Sequence, residues 1–110
     1  MSYDAWMEID TGGESPTQLD GCEWLGLTWN LSPMLKLALG VRVTELNLET
    51  GAGVAPLLAV ALERMTAEPD AYREHNPPNG WGSYEDALRF IETLLSWCKA
   101  HPRATLRVTA

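Results

Sequence analysis

The most constraining feature of the chain is an amphipathic segment near its C-terminus. Its apolar residues recur three and four positions apart and form one broad stripe, comprising Tyr84, Ala87, Leu88, Ile91, Leu94, Leu95 and Cys98. This spacing is typical of a helix with one face in a core. Ser83, with Asp86 three residues later, resembles a capping box, and Pro102 cannot continue a helix. The segment therefore predicts a long helix that starts after Ser83 and stops before Pro102.

The loop that leads into this helix reads Asn-Pro-Pro-Asn-Gly-Trp-Gly over residues 76–82. The two prolines fix φ, and the Asn-Gly pair tolerates positive φ, so the loop is predicted to be stiff. It holds four side chains in fixed relation: Asn76, Asn79, Trp81 and Tyr84. Two interpretations are open. Either Trp81 fills a gap between the last helix and a sheet while the asparagines cap backbone groups, or these side chains form a recognition surface.

Three segments show the patterns of β-strands. Residues 3–10 alternate apolar and polar side chains, residues 22–29 form a second extended run, and residues 104–109 alternate again. We expect the first two to pair antiparallel across a polar connection at residues 11–21. We also expect the first and last strands to be neighbours.

Two further helices are predicted between these strands. Ser32 and Pro33 mark the start of a short helix that ends at Gly40. Residues 41–48 are ambiguous between a brief strand and a loop that covers the core with Leu46 and Leu48.

A longer, largely buried helix is expected from about Gly53 to Met65, with Pro56 in its first turn, and Pro69 either ends it or begins a separate helical turn. Strands at both ends with helices between predict one α+β domain over residues 1–110. It would be a two-layer sandwich with a small antiparallel or mixed sheet and about three helices on one face.

Length and composition favour a single cytoplasmic domain. The chain has 110 residues, enough for one core and too few for two. Its first residues lack the pattern of a secretory signal, and its longest apolar stretch, residues 54–62, is too short to cross a bilayer. We therefore expect no membrane association. In the reducing cytoplasm, Cys22 and Cys98 are expected to remain thiols.

Charge limits the partners that the chain can bind. The formal net charge is −7, and residues 1–30 contain six acids and no Lys or Arg. Such a segment repels phosphate backbones, so we expect no direct binding to nucleic acid. A basic partner, a cation or mimicry of nucleic acid stays open, as does a solvated acidic face that keeps the protein soluble.

No catalytic or metal site is recognisable. Asp10-Thr11-Gly12 matches the aspartic protease triplet, but a strand that ends in a glycine turn capped by Asp10 explains it better. Cys98 and His101 are spaced like metal ligands, yet they fit a buried helix stripe and a helix C-terminus. We therefore predict no catalytic residue, no metal and no cofactor.

Several short motifs resemble a group of small proteins from actinobacteria and their bacteriophages. They are Tyr3-Asp4, Glu8-Ile9-Asp10-Thr11-Gly12-Gly13, Asn30-Leu31-Ser32-Pro33-Met34, Tyr72-Arg73, the 76–82 block, and Cys98 with His101-Pro102. The resemblance implies no activity. A phage setting would favour a protein that modulates a host system by binding.

The binding hypothesis has named candidate residues. Tryptophans offer flat walls, asparagines offer amide groups, and arginines offer charge for a phosphate or carboxylate. The candidates are Trp29, Asn30, Arg73, Asn76, Asn79, Trp81, Tyr84 and Arg89. We predict a non-enzymatic protein that engages a host protein or sequesters a small polar ligand such as a nucleotide. The alternative is a small hydrolase or transferase with an unrecognised active site.

The outer face of the first strand is a candidate homodimer interface. It carries Asp4, Trp6, Glu8 and Asp10, and a tryptophan among carboxylates suits an interface better than a core. Like carboxylates would meet across a two-fold axis and repel each other unless they are offset or bridged by Arg42 or Arg107.

Overall fold

The computed structural model describes residues 2–110 and confirms the two-layer α+β architecture. The strands are β1 (Ser2–Ile9), β2 (Thr17–Gln18), β3 (Leu25–Thr28) and β4 (Thr105–Thr109). The helices are α1 (Ser32–Leu39), α2 (Gly51–Ala67), α3 (Pro69–Arg73) and α4 (Tyr84–Ala100), with 3-10 turns at Trp29–Leu31 and Val43–Leu46.

The sheet is built around β1, which pairs antiparallel with every other strand. β4 lies on one side of β1, while β2 and β3 lie end to end on the other, separated by a turn at residues 19–22. The predicted pairing of the first two strands and of the terminal strands is confirmed. β2, however, falls in the segment predicted as a polar connection. Residues 17–18, which precede that turn, pair antiparallel with the end of β1.

One face of the sheet carries the helices and the core. Ala5 and Met7 of β1 and Leu106 and Val108 of β4 point to this face and are at most 2% exposed. They belong to one core with buried side chains of α2 and α4 that include Leu58, Met65, Ile91 and Leu94. The alternate residues of the strands that point inward and the apolar stripe predicted for α4 therefore belong to the same core.

Two predicted helix starts are wrong. Ser32 is already helical and does not cap α1: its hydroxyl donates to the Trp29 carbonyl, because a 3-10 turn runs directly into the helix. α2 starts at Gly51 rather than Gly53, with Thr50 as its N-cap, so Pro56 lies beyond the first turn. The early start is stabilised from outside, since the Gly51 N–H donates to the carbonyl of Ala104. Gly40 ends α1 as predicted, with φ of 80°.

The ambiguous segment 41–48 contains no strand. It forms a 3-10 turn that buries Leu46, whereas Leu48 is 66% exposed. The end of this segment, together with Glu49, pairs with the outer edge of β4. Leu48 N–H donates to the Leu106 carbonyl, Leu106 N–H donates to the Glu49 carbonyl, and Val108 N–H donates to Asn47 Oδ1.

Candidate functional site

A groove of about 550 Å³ lies between β3, the start of α4 and the loop at residues 80–82. Its floor is apolar, with Leu27 and Phe90 nearly buried. The other side chains and glycines that line it are Leu25, Gly26, Thr28, Gly80, Trp81, Gly82, Asp86 and Arg89. A groove of this size and character is of the kind that proteins use for ligands.

The backbone edge of β3 lines this groove. Both backbone groups of Met7 bond to the β2–β3 side, since its N–H donates to the Cys22 carbonyl and its carbonyl accepts from Leu19 N–H, each at 3.0 Å. The backbone groups of alternate strand residues point the same way, so those of Ala5 and Tyr3 also point to this side. Their partners Leu25 and Leu27 therefore direct their own backbone groups toward β1. Gly26 and Thr28, which lie out of phase with them, direct their N–H groups away from β1.

These outward groups have no partner strand. Within residues 2–110, β3 pairs only with β1, and the backbone hydrogen bonds of turns and loops use neither the Gly26 N–H, the Gly26 carbonyl nor the Thr28 N–H. The two edges of the sheet thus differ in whether their outward backbone groups have partners. β4 is closed by residues 47–49, and β3 is left open beside a groove.

The loop that borders the groove is held by its asparagines. Asn76 Oδ1 accepts from Tyr84 N–H at 2.8 Å, and Asn79 Oδ1 accepts from Trp81 N–H at 2.9 Å. Gly82, with φ of 100°, packs so closely that an added Cβ would lie 2.7 Å from Thr28 Cγ2. The prediction that the asparagines cap backbone groups is confirmed.

The interpretation of Trp81 as a core plug is wrong. Its side chain is 65% exposed at the rim of the groove, because the turn at Gly80 and Gly82 directs it outward while Phe90 takes the buried place. Phe90 is 2% exposed and was not among the predicted stripe residues.

Charge in the groove comes from a pair on one turn of α4. Arg89 Nη1 lies 3.7 Å from Asp86 Oδ1, and Arg89 is exposed. Asp86 also accepts from the Ser83 N–H and completes the predicted capping box. An exposed pair of this kind contributes little to stability, so both groups can exchange their partner for a ligand.

Arg73 and Tyr84 have structural roles away from the groove. The Tyr84 hydroxyl donates to the Met65 carbonyl at 2.8 Å, and burial raises the pKa of this phenol. The Arg73 guanidinium lies 4.7 Å from the centre of the Tyr84 ring and pairs with Asp70 and Glu85. The pKa of Arg73 is raised, mainly by its hydrogen bond to Glu85. The two side chains thus join α3 to α4.

The remaining predicted site residues lie around Thr28. Asn30 donates to Thr28 Oγ1 at 3.0 Å and accepts a long hydrogen bond of 3.4 Å from Asn79, so the two asparagines join β3 to the loop. Trp29 stacks obliquely on Tyr3, with ring centres 6.3 Å apart. Of the eight candidates, only Trp81 and Arg89 line the groove.

Sequence reasoning missed Gly26 and Thr28, which carry the open edge. The sequence carried no signal for the edge itself, although a glycine inside a strand often marks the close approach of another group. Here that group belongs to the chain itself: a Cβ on Gly26 would collide with the indole of Trp24, which lies over the outer face.

The outer face of the sheet holds the candidate interface residues. Trp6 is half-buried, donates from Nε1 to Glu8 at 3.2 Å, and has the Arg107 guanidinium 5.5 Å from its ring centre. Arg107 also pairs with Glu8 at 2.9 Å. Asp4 accepts from Trp24 Nε1. Asp10 lies beyond β1, where it accepts from Gly12 N–H at 2.8 Å, so the predicted capped glycine turn is confirmed.

In the part of the chain that the structure describes, no helix is long and apolar enough to cross a membrane. Across those same residues, no three His, Cys, Asp or Glu side chains are grouped to hold a metal ion. No protein-family model, curated protein or solved structure matches the chain.

Proposed function

We propose that this protein is a non-enzymatic, cytoplasmic binding module that takes an extended segment of a partner protein into the groove beside β3. The segment adds a fifth strand to the sheet through main-chain hydrogen bonds, and its side chains contact Trp81 and the apolar floor. The observation that carries the proposal is the contrast between the two edges of the sheet. An open edge next to a groove is a site for strand addition, whereas proteins otherwise cover or block such edges.

The segment that best fits this site is basic, with apolar residues at alternate positions. The protein carries a net charge of −7, and the hairpin that contains β3 lies in the stretch of residues 1–30 that has no Lys or Arg. Opposite charge accelerates association and disfavours acidic competitors. The phage resemblance suggests a host protein as the source of the segment.

Selection from a phage-displayed library of random twelve-residue peptides tests the proposal, with Thr28→Pro as the decisive variant. Thr28 has φ of −64°, which proline adopts without strain, so the substitution removes the outward N–H and keeps the strand. Thr28→Val is the matched control, because it also loses the hydroxyl that accepts from Asn30 but retains the N–H.

We expect enriched peptides to bind the wild type and Thr28→Val with similar affinity and Thr28→Pro about tenfold more weakly or worse. One main-chain hydrogen bond is worth about 1 kcal/mol, and the proline ring also obstructs the edge. Equal binding to Thr28→Pro and Thr28→Val would exclude strand addition, as would a selection that enriches no peptide for the wild type over Thr28→Pro.

A further inference from the structure

A second pocket, of about 340 Å³, lies on the helical side of the sheet near the start of β1. It is lined by Tyr3, Ser32, Pro33, Lys36, Arg42 and Val43. Two cations are therefore present, and no carboxylate belongs to the lining, although the protein as a whole is strongly acidic. The pocket therefore carries a local positive charge on a protein whose net charge is negative.

Neither cation is used in an ion pair. Among residues 2–110, side-chain ion pairs involve Arg73, Arg89 and Arg107. Lys36 and Arg42 have none there, and both side chains are exposed at the pocket. The nearest acid in sequence, Glu45, accepts from the backbone N–H of Arg42 and lies outside the lining.

The two hydroxyls in the pocket already have partners for their protons. Ser32 Oγ donates to the Trp29 carbonyl, so the Tyr3 hydroxyl donates to Ser32 Oγ. The donors left for a ligand are thus the ammonium of Lys36 and the guanidinium of Arg42. The rest of the lining is apolar: the Tyr3 ring, Pro33 and Val43.

We propose that this pocket binds a small organic anion, in which a carboxylate or phosphate is attached to an apolar body. Lys36 and Arg42 bind the anionic group, while Tyr3, Pro33 and Val43 contact the body. The pocket volume lies at the lower end of the range for small-molecule sites, so it suits a ligand with about one ring. The site is separate from the groove beside β3 and does not depend on the function proposed there.

Titrations monitored by amide chemical shifts test the proposal with phenyl phosphate as the probe. Inorganic phosphate supplies the charge alone, and benzyl alcohol supplies the ring alone. The variants are Lys36→Gln and Arg42→Gln, both at exposed positions, with Lys99→Gln as a control for an exposed cation outside the pocket. The spectrum of each variant also reports whether it folds.

We expect saturable shifts at residues 32–43, with phenyl phosphate binding more tightly than either partial probe. Each pocket variant should weaken binding about tenfold, since a hydrogen bond to a charged group is lost, and Lys99→Gln should leave it unchanged. The proposal is overturned if shifts are absent from residues 32–43, if all three probes bind alike, or if Lys99→Gln weakens binding as much as the pocket variants.

Discussion

Trp81 and Phe90 both line the groove, but only Phe90 belongs to the core. Trp81 is 65% exposed, whereas Phe90 is 2% exposed. We therefore expect Trp81→Ala to leave the free energy of unfolding nearly unchanged and to remove peptide binding. Phe90→Ala should cost about 3 to 5 kcal/mol, as for other buried aromatic residues. Urea denaturation of both variants measures the difference. If both substitutions lowered the free energy of unfolding by a similar amount, Trp81 would be part of the core.

Cys98 provides a prediction about pH. Burial raises the pKa of its thiol to about 11, from an ordinary value of 9.0. Between these values the unfolded chain loses the proton first, so stability should fall as pH rises from about 9 to 11. Urea unfolding across this range should show a smaller fall for Cys98→Ala than for the wild type.

The same burial should protect Cys98 from alkylation. At pH 8 the thiol remains protonated, and the thiolate is the reactive species. Iodoacetamide should therefore modify it only after the protein is unfolded. Two results together would contradict the buried environment of this residue. They are fast modification of Cys98 in the native protein, and the same fall of unfolding free energy with pH for wild type and Cys98→Ala.

The two edge strands should differ in amide hydrogen exchange. The N–H groups of Leu106 and Val108 are bonded to Glu49 and Asn47, whereas those of Gly26 and Thr28 face the open groove. We expect slow exchange at the first pair and fast exchange at the second, with Leu25 and Leu27 protected by β1. A bound peptide should slow Gly26 and Thr28 selectively. Slow exchange at both in the free protein would show that the edge is already covered.

The elements that sequence could predict are those with strong local signals. α4 has a capping box, a long apolar stripe and a proline just after its end, so its start and most of its buried face, although not Phe90, followed directly from the sequence. β1 and β4 follow from alternation because one of their faces is buried. These signals depend on residues close together in the chain.

The parts that could not be predicted depend on distant contacts. α2 starts early because the carbonyls of Ala104 and Pro102 satisfy its first N–H groups. The place of Trp81 was open between core and surface, and only packing decides that Phe90 is buried and Trp81 is exposed. The open edge of β3 is defined by pairing and loop placement across the whole chain. No local pattern specifies that arrangement.

At the scale of the molecule, charge is divided unevenly over the surface. The groove beside β3 contains one Asp–Arg pair, the pocket near Tyr3 contains two unpaired cations, and the outer face of the sheet carries Asp4 and Glu8. We propose a basic protein segment for the groove and a small anion for the pocket, and the homodimer prediction concerns the outer face.

The predicted homodimer would form through this outer face, with Trp6 as its anchor. Arg107 bridges Glu8 and lies over Trp6 within one chain, which lowers the repulsion that two such faces would meet. A net charge of −7 per copy still opposes association.

Because salt shortens the screening length from about 10 Å at 0.1 M to about 3 Å at 1 M, we expect dimerisation to strengthen as salt rises. Light scattering at tens of micromolar protein measures this, and Trp6→Ala should remain monomeric. A wild-type monomer at both low and high salt would exclude the dimer and leave Trp6 as a half-buried residue stabilised by Glu8 and Arg107.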